Sequence, residues 1–211
     1  MKEINNIIFD FGAVIINIDP DAVLRSLMEN GISNIGKLNE ALTDKQIYRD
    51  LETGAVEPAE FRAAIRETLG IPISDESIDA IWNSILLDIP PERVAFLNRL
   101  KTKYNIYLLS NTNAIHYDHY NRYFIDTYDY PSLDSFFKRA WYSHLLGVRK
   151  PDPAIFQLVL NDGRLDPAKT AFIDDMKVNV DAAATLGIHP VHLPEGKEIM
   201  DLFDEKLVLK G

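Results

Sequence analysis

The 211-residue chain carries 32 acidic against 22 basic side chains, a formal net charge of -10, and 46% of its residues are hydrophobic. That apolar content suits one packed domain with an inserted module, and the acidic balance argues against nucleic acid or an anionic membrane surface as partner. With no cysteine, disulfides and thiolate metal sites are excluded. The basic pairs Lys138-Arg139 and Arg149-Lys150 are too brief to form a patch, no cleavable leader is visible, and no apolar run approaches membrane-spanning length. A cytoplasmic protein is the simplest expectation.

In chain order, the first element is the apolar, β-branched run from Asn6 to Asn17, interrupted by Asp10 and then glycine. Such a run suits a strand buried on both faces that delivers Asp10 to the carboxyl edge of a parallel sheet, where open α/β sheets bind ligands. A carboxylate in that position is costly unless a cation or donors meet it. Asp19-Pro20-Asp21 then opens a helix with Val23, Leu24, Leu27 and Met28 expected on its buried face. From about Ile35 to Asp88 the periodicity is helical throughout, carried by Ile35, Leu38 and Leu42, then Phe61, Ile65 and Leu69, then Ile78, Ile81, Trp82 and Ile85. Breaks fall at Gly54 with Pro58 and at Gly70 to Ser74.

Pro90-Pro91 leads into a helix with Val94, Leu97 and Leu100 inside, followed by a second buried strand, Asn105 to Ser110. Thr112 to Phe124 reads as helix, Asp126 to Phe137 as an aromatic loop or short helix, and Arg139 to Ser143 as a short strand. Pro151-Asp152-Pro153 starts a helix with Ile155, Phe156, Val159 and Leu160 buried. Thr170 to Asp174 is a third apolar strand ending in carboxylates, and the helix after it, with Val178, Ala182 and Leu186 inside, closes at Gly187. His189 to Leu193 makes the last strand, and a short helix follows from Lys197. The alternation predicts an α/β fold: a Rossmann-like parallel sheet flanked by helices, residues 1–18 and 89–211, with an all-helical insertion over 19–88.

Three apolar strands thus end in Asp10, Ser110 and Asp174-Asp175, and Lys150 precedes a helix in Gly147-Val-Arg-Lys-Pro-Asp-Pro. At one sheet edge these types complement one another. Paired carboxylates suit Mg²⁺, the strand-to-helix junction at Ser110 and the Asn111 N–H suits phosphate, and Lys150 supplies a compact cation.

These stretches carry a resemblance. Phe-Asp-Phe-Gly-Ala-Val at 9–14, Leu-Ser-Asn-Thr-Asn at 109–113, Gly-Val-Arg-Lys-Pro-Asp-Pro at 147–153 and Phe-Ile-Asp-Asp-Met-Lys-Val-Asn-Val at 172–180 resemble, in order and spacing, a phosphatase of the haloacid dehalogenase superfamily. The resemblance implies that the 19–88 insertion is a helical cap. It makes Asp10 the nucleophile, which forms an aspartyl phosphate, and places Mg²⁺ among Asp10, the Gly12 carbonyl, Asp175 and, in or behind that shell, Asp174. Ser110, Asn111 and Lys150 would hold phosphate oxygens. Asn179 would orient the acidic pair or Lys150, with a solvated helix residue as the plainer alternative.

One departure is chemical. The commonest phosphatases of this family carry a second aspartate two positions after the nucleophile as general acid and base, where this chain has Gly12. Such help is typically worth roughly 10² to 10⁴ in rate. A branch with an Asp-x-Gly first motif nevertheless includes sugar-phosphate phosphatases, among them ones acting on glucose 1-phosphate, and the chain is similar to it. Asp19 or His116 could replace the acid, although helix capping and a surface histidine are the simpler readings. His116 and His119 lack a third ligand for zinc, and the Tyr117, Tyr120, Tyr123 and Phe124 cluster suits core more than a sugar platform. The expectation is a Mg²⁺-dependent phosphatase of a small phosphorylated metabolite. A catalytically weak phosphate-binding protein and, less favoured by Asp174-Asp175, a 2-haloacid dehalogenase are the alternatives.

Overall fold

The computed structural model describes residues 3–32 and 46–210. Five strands, β1 (Asn6–Phe9), β2 (Asn105–Ser110), β3 (Ala140–Tyr142), β4 (Thr170–Asp174) and β5 (His189–His192), form one sheet. Their order is β3-β2-β1-β4-β5, and every neighbouring pair is parallel. Parallel strands need crossovers, and the crossover helices cover both faces.

The strands alternate between two cores, as the pleat requires. Ile7, Phe9, Ile106, Leu108, Ala171 and Ile173 enter one, while Ile8, Tyr107, Leu109 and Phe172 enter the other. A third apolar cluster belongs to the insertion, whose described helices are α1 (Ala22–Glu29), α2 (Gln46–Glu52), α3 (Pro58–Leu69) and α4 (Asp75–Asn83). Leu27, Leu51, Phe61, Ile65, Ile81 and Trp82 pack there, joined by Ile115 from the sheet domain. The two chain crossings into the insertion run side by side: Ile18 pairs antiparallel with Leu86, and Asn17 and Asp19 exchange backbone bonds with Leu87, Asp88 and Ile85.

The remaining helices are α5 (Pro91–Leu100), α6 (Ala114–Tyr128), α7 (Leu133–Phe136), α8 (Ser143–Leu146), α9 (Pro153–Gly163) and α10 (Lys177–Ala184). Their starts follow local chemistry. The Asn113 side chain accepts from His116 N–H at the head of α6, and Asp152 accepts from Ala154 N–H at the head of α9 beside Pro153.

Several expectations are corrected. On α1, Leu27 is buried but Val23 and Leu24 are only partly covered and Met28 is exposed, because Ala22 takes the inward position. Ile85 is only partly buried, at the frayed end beyond α4. On α10 the inward residues are Asn179, Val180 and Ala183, whereas Val178 is exposed and Ala182 and Leu186 are half-buried. A stripe read from apolar residues alone rotates the helix away from Asn179, whose partner is a carboxylate. The helix after Thr112 begins at Ala114 and runs to Tyr128, and the last helix is a single 3-10 turn, Ile199–Leu202. The Ile35, Leu38 and Leu42 stripe lies outside the described residues.

Candidate active site

Register builds the site. Phe9 lies opposite Leu108 of β2 and Ile173 of β4, so the next residue, Asp10, stands level with Leu109 and Asp174. Asp10 N–H donates to Ile173 O at 2.9 Å, extending the ladder to that row. Alternation sends both aspartates to the face of Phe172, and Lys150 reaches the same face from the loop before α9. Its Nζ donates to Asp10 Oδ1 at 2.6 Å, Asp174 Oδ2 at 2.7 Å and Leu109 O at 3.0 Å. All three ammonium donors meet acceptors of one sheet row, and the side chain is 1% exposed.

Asp174 is fully buried and fully engaged. Oδ1 accepts from Met176 N–H at 2.7 Å, and Asn179 Nδ2 reaches Oδ1 at 3.1 Å and Oδ2 at 3.0 Å. The amide of Asn179 is therefore a buried orienting donor to the acidic pair, and the solvated reading is set aside. Asp175 is half-buried, and its backbone carbonyl lies 2.9 Å from His192 Nε2.

Carboxylate oxygens of Asp10, Asp174 and Asp175 all lie within 4.8 Å of one another. Three like charges at that spacing against one lysine leave an excess of about two negative charges, which a divalent cation would offset. The titration behaviour expresses the same excess. Burial, and then the Asp174 charge, push Asp10 up to about 7 despite the opposing pull of Lys150. Burial and Asp174 also raise Asp175. Burial works to lower Lys150, but the two carboxylates outweigh it and hold the amine charged. The donor set, hard oxygens from three carboxylates, fits Mg²⁺.

Ser110 ends β2 and is buried, its hydroxyl 3.4 Å from Asn111 O, a weak contact that leaves it able to turn. Asn111 differs from expectation at its side chain: Oδ1 accepts from Lys150 N–H at 2.8 Å and Nδ2 donates to Lys150 O at 2.9 Å. Its amide clamps the backbone that carries the lysine, which leaves only the Asn111 main chain to face an anion. Ser143 pins the next residue, accepting from Thr112 N–H and donating to Thr112 O, both at 3.0 Å. Gly12 sits in the turn after β1, where Ile15 and Ile16 N–H both bond to Phe11 O. A Cβ there would meet nothing nearer than Ile18 Cγ2 at 3.8 Å, so glycine is not required by crowding.

Neither substitute acid is poised for that work. Asp19 pairs with Arg25 and accepts from Asp21 N–H, contacts that hold its carboxyl below the usual range and make it the helix-entry residue. His116 stacks on Trp82 (centroids 5.5 Å apart, 6° between planes) with Nδ1 2.9 Å from Asn83 Oδ1. Burial, and then His119, pull it down to about 3, so it stays neutral and joins the insertion to α6.

Two residues near the site were not anticipated. Arg149 and Glu52, from α2, approach at 2.9 Å beside Lys150. Arg149 lies within the quoted Lys150 stretch, but nothing in the sequence pairs it with a glutamate 97 positions earlier (149 minus 52).

Comparison with known proteins gives the same address. A family model described as haloacid dehalogenase-like hydrolase matches residues 4–187. A D-ribitol-5-phosphate phosphatase from Bacteroides thetaiotaomicron is 27% identical over 195 residues, 92% of this chain and 94% of the relative. The crystal structure of a HAD family enzyme from the same organism superposes with a TM-score of 0.89 at 36% identity, covering 97% of this chain and 100% of that one. Another crystal structure of that enzyme, described as its complex with magnesium and inorganic phosphate, gives a TM-score of 0.87 at 36% identity, over 95% of this chain and 100% of that chain.

Proposed function

The chain belongs to the haloacid dehalogenase-like hydrolases, and from that premise we propose that it is a Mg²⁺-dependent phosphatase acting on a small phosphorylated metabolite, a sugar or sugar-alcohol phosphate. The observation that carries this reading is the row Leu109–Asp10–Asp174 with Lys150 bonded to all three and Asp175 alongside. The phosphatase relative and the magnesium and phosphate complex support it.

Asp10 attacks phosphorus through a carboxylate oxygen, and the bond from phosphorus to the leaving oxygen breaks. Water then attacks the aspartyl phosphate, the Asp10–phosphorus link breaks, and the carboxylate returns with inorganic phosphate released. Lys150 holds Asp10 in place and offsets its charge, while Ser110 and the Asn111 main chain bind phosphate oxygens. Asp174 and Asn179 hold Lys150 and each other. Mg²⁺, bound by Asp10, the Gly12 carbonyl and Asp175 with Asp174 in or behind its shell, would supply positive charge against the phosphate oxygens. Residues 19–88 act as a cap over the core of 1–18 and 89–211, hinged at the paired crossings near Ile18 and Leu86.

With Gly12 in the acid position, Asp19 tied to Arg25 and His116 neutral, leaving groups that need little protonation are favoured, anomeric phosphates above alkyl ones. The test is turnover of p-nitrophenyl phosphate, glucose 1-phosphate and D-ribitol 5-phosphate with Mg²⁺. Turnover is expected to vanish on chelation and to fall by at least about 10³-fold in Asp10→Asn. No turnover across a wide ester panel would instead leave a phosphate-binding protein, and rates independent of leaving-group pKa would remove the anomeric preference.

A further inference from the structure

The contact between Glu52 and Arg149 lies outside the chemistry assigned so far. Glu52 ends α2, directly after Leu51, which is buried in the insertion's own apolar cluster. The helix thus turns Leu51 inward and Glu52 toward the sheet domain. Glu52 is 4% exposed, and its Oε2 stands 2.9 Å from Arg149 Nε without a well-directed hydrogen bond between them. The Tyr48 hydroxyl, one turn earlier on the same helix, bonds to the Glu52 carboxylate, and the Arg149 guanidinium lies 5.8 Å from the Tyr48 ring centre. A buried carboxylate is tolerated only where a cation and donors meet it.

The same corner is in close backbone contact. Gly54, two residues after Glu52, has φ +68°, and a Cβ there would sit 2.3 Å from His144 O. The turn after α2 therefore rests directly on α8, at the start of the segment that runs through Arg149 to Lys150. On its other side that segment is held by the two bonds from the Asn111 side chain to the Lys150 backbone. The lysine is clamped from the sheet by Asn111 and from the insertion through its preceding residue.

We propose that Glu52 is a positioning residue that acts through Arg149, so that docking of the helical insertion sets the placement of Lys150 against Asp10 and Asp174. The inference rests on the phosphatase reading for its kinetic consequence. Its structural consequence, that the insertion stiffens residues 148–151, is independent of any reaction.

The experiment compares the full chain with Glu52→Gln, Arg149→Met and the double variant in two readouts. With p-nitrophenyl phosphate and Mg²⁺, each single variant is expected to lower kcat about tenfold with KM changed less than about twofold, a misplacement effect. The double variant is expected to be no slower than the slower single, because both remove one interaction. Amide hydrogen exchange, measured without metal or substrate, is expected to quicken at 46–52 and 148–151 in both singles while β4 keeps its protection. The proposal is overturned if exchange at 148–151 matches the unmodified chain, or if the two kinetic effects multiply. Should Glu52→Gln fail to fold, Arg149→Met carries both readouts. If the unmodified chain turns nothing over, the phosphatase reading fails while the exchange result still decides the latch.

Discussion

The carboxyl edge of the sheet and the helical insertion use charge in opposite ways. At the sheet edge, Asp174 and Lys150 are 0% and 1% exposed, and each lysine donor has an acceptor set by strand register. In the insertion most ion pairs, such as Arg62 with Asp79 at 2.8 Å and Arg66 with Asp75 at 2.6 Å, are partly open to solvent. Exposed pairs of that kind contribute roughly 0–1 kcal/mol, whereas breaking a buried pair costs about 3–5 kcal/mol. The sheet edge therefore bears its charges as a unit, and the insertion is a separately cored body that meets the sheet domain through a few contacts: Glu52 with Arg149, Gly54 on His144, and His116 between Trp82 and Asn83.

The sharpest way to break this contrast is Asp174→Ala. It strips Lys150 of one partner and Asn179 of both its bonds, and should cost about 3–5 kcal/mol by urea unfolding. A loss near 1 kcal/mol would mean the edge is no more cooperative than the insertion's surface.

Gly54→Ala probes the seam. The Cβ meets a carbonyl oxygen at 2.3 Å in a left-handed backbone, so a loss of about 1–3 kcal/mol is expected, together with faster exchange in α2. An unchanged stability would show that the insertion does not rest on α8.

The smallest effect concerns pH. His116 has a folded pKa of about 3 against the ordinary 6.5, so between those values the unfolded chain binds the extra proton. Folding stability at this residue is intact above pH 6.5 and drains away as pH falls toward 3. His116→Gln should flatten the acid side of the stability curve in that window, read by thermal unfolding at stepped pH. An equally steep acid side would remove His116 as a buried link between insertion and sheet domain.

Much of the sheet edge was legible in advance because it is written in short, continuous runs. Asn-Ile-Ile-Phe-Asp and Thr-Ala-Phe-Ile-Asp each end an apolar strand on a carboxylate, and all-parallel topology then forces those ends together. Asn179 was located but its face was not, since apolar periodicity points to Val178 while the helix turns its amide to Asp174. Asn111 was assigned to an anion, yet its side chain clamps Lys150, a role that depends on a loop 39 positions away. Asp19 and His116 were legible as titratable groups only; Arg25, Trp82 and Asn83 decide what they do.

The amino-acid sequence alone determined the order of strands and helices, the family resemblance and the set Asp10, Ser110, Lys150, Asp174 and Asp175, because hydrophobic runs and chain-local turns follow from side-chain size and polarity a few residues at a time. Only the tertiary structure decided that Lys150 bridges Asp10, Asp174 and Leu109 in one row, that Asn179 faces inward, and that Glu52 meets Arg149. Those contacts join residues far apart in the chain. Their energies depend on burial and register, and neither quantity exists until the sheet has formed and the insertion has docked.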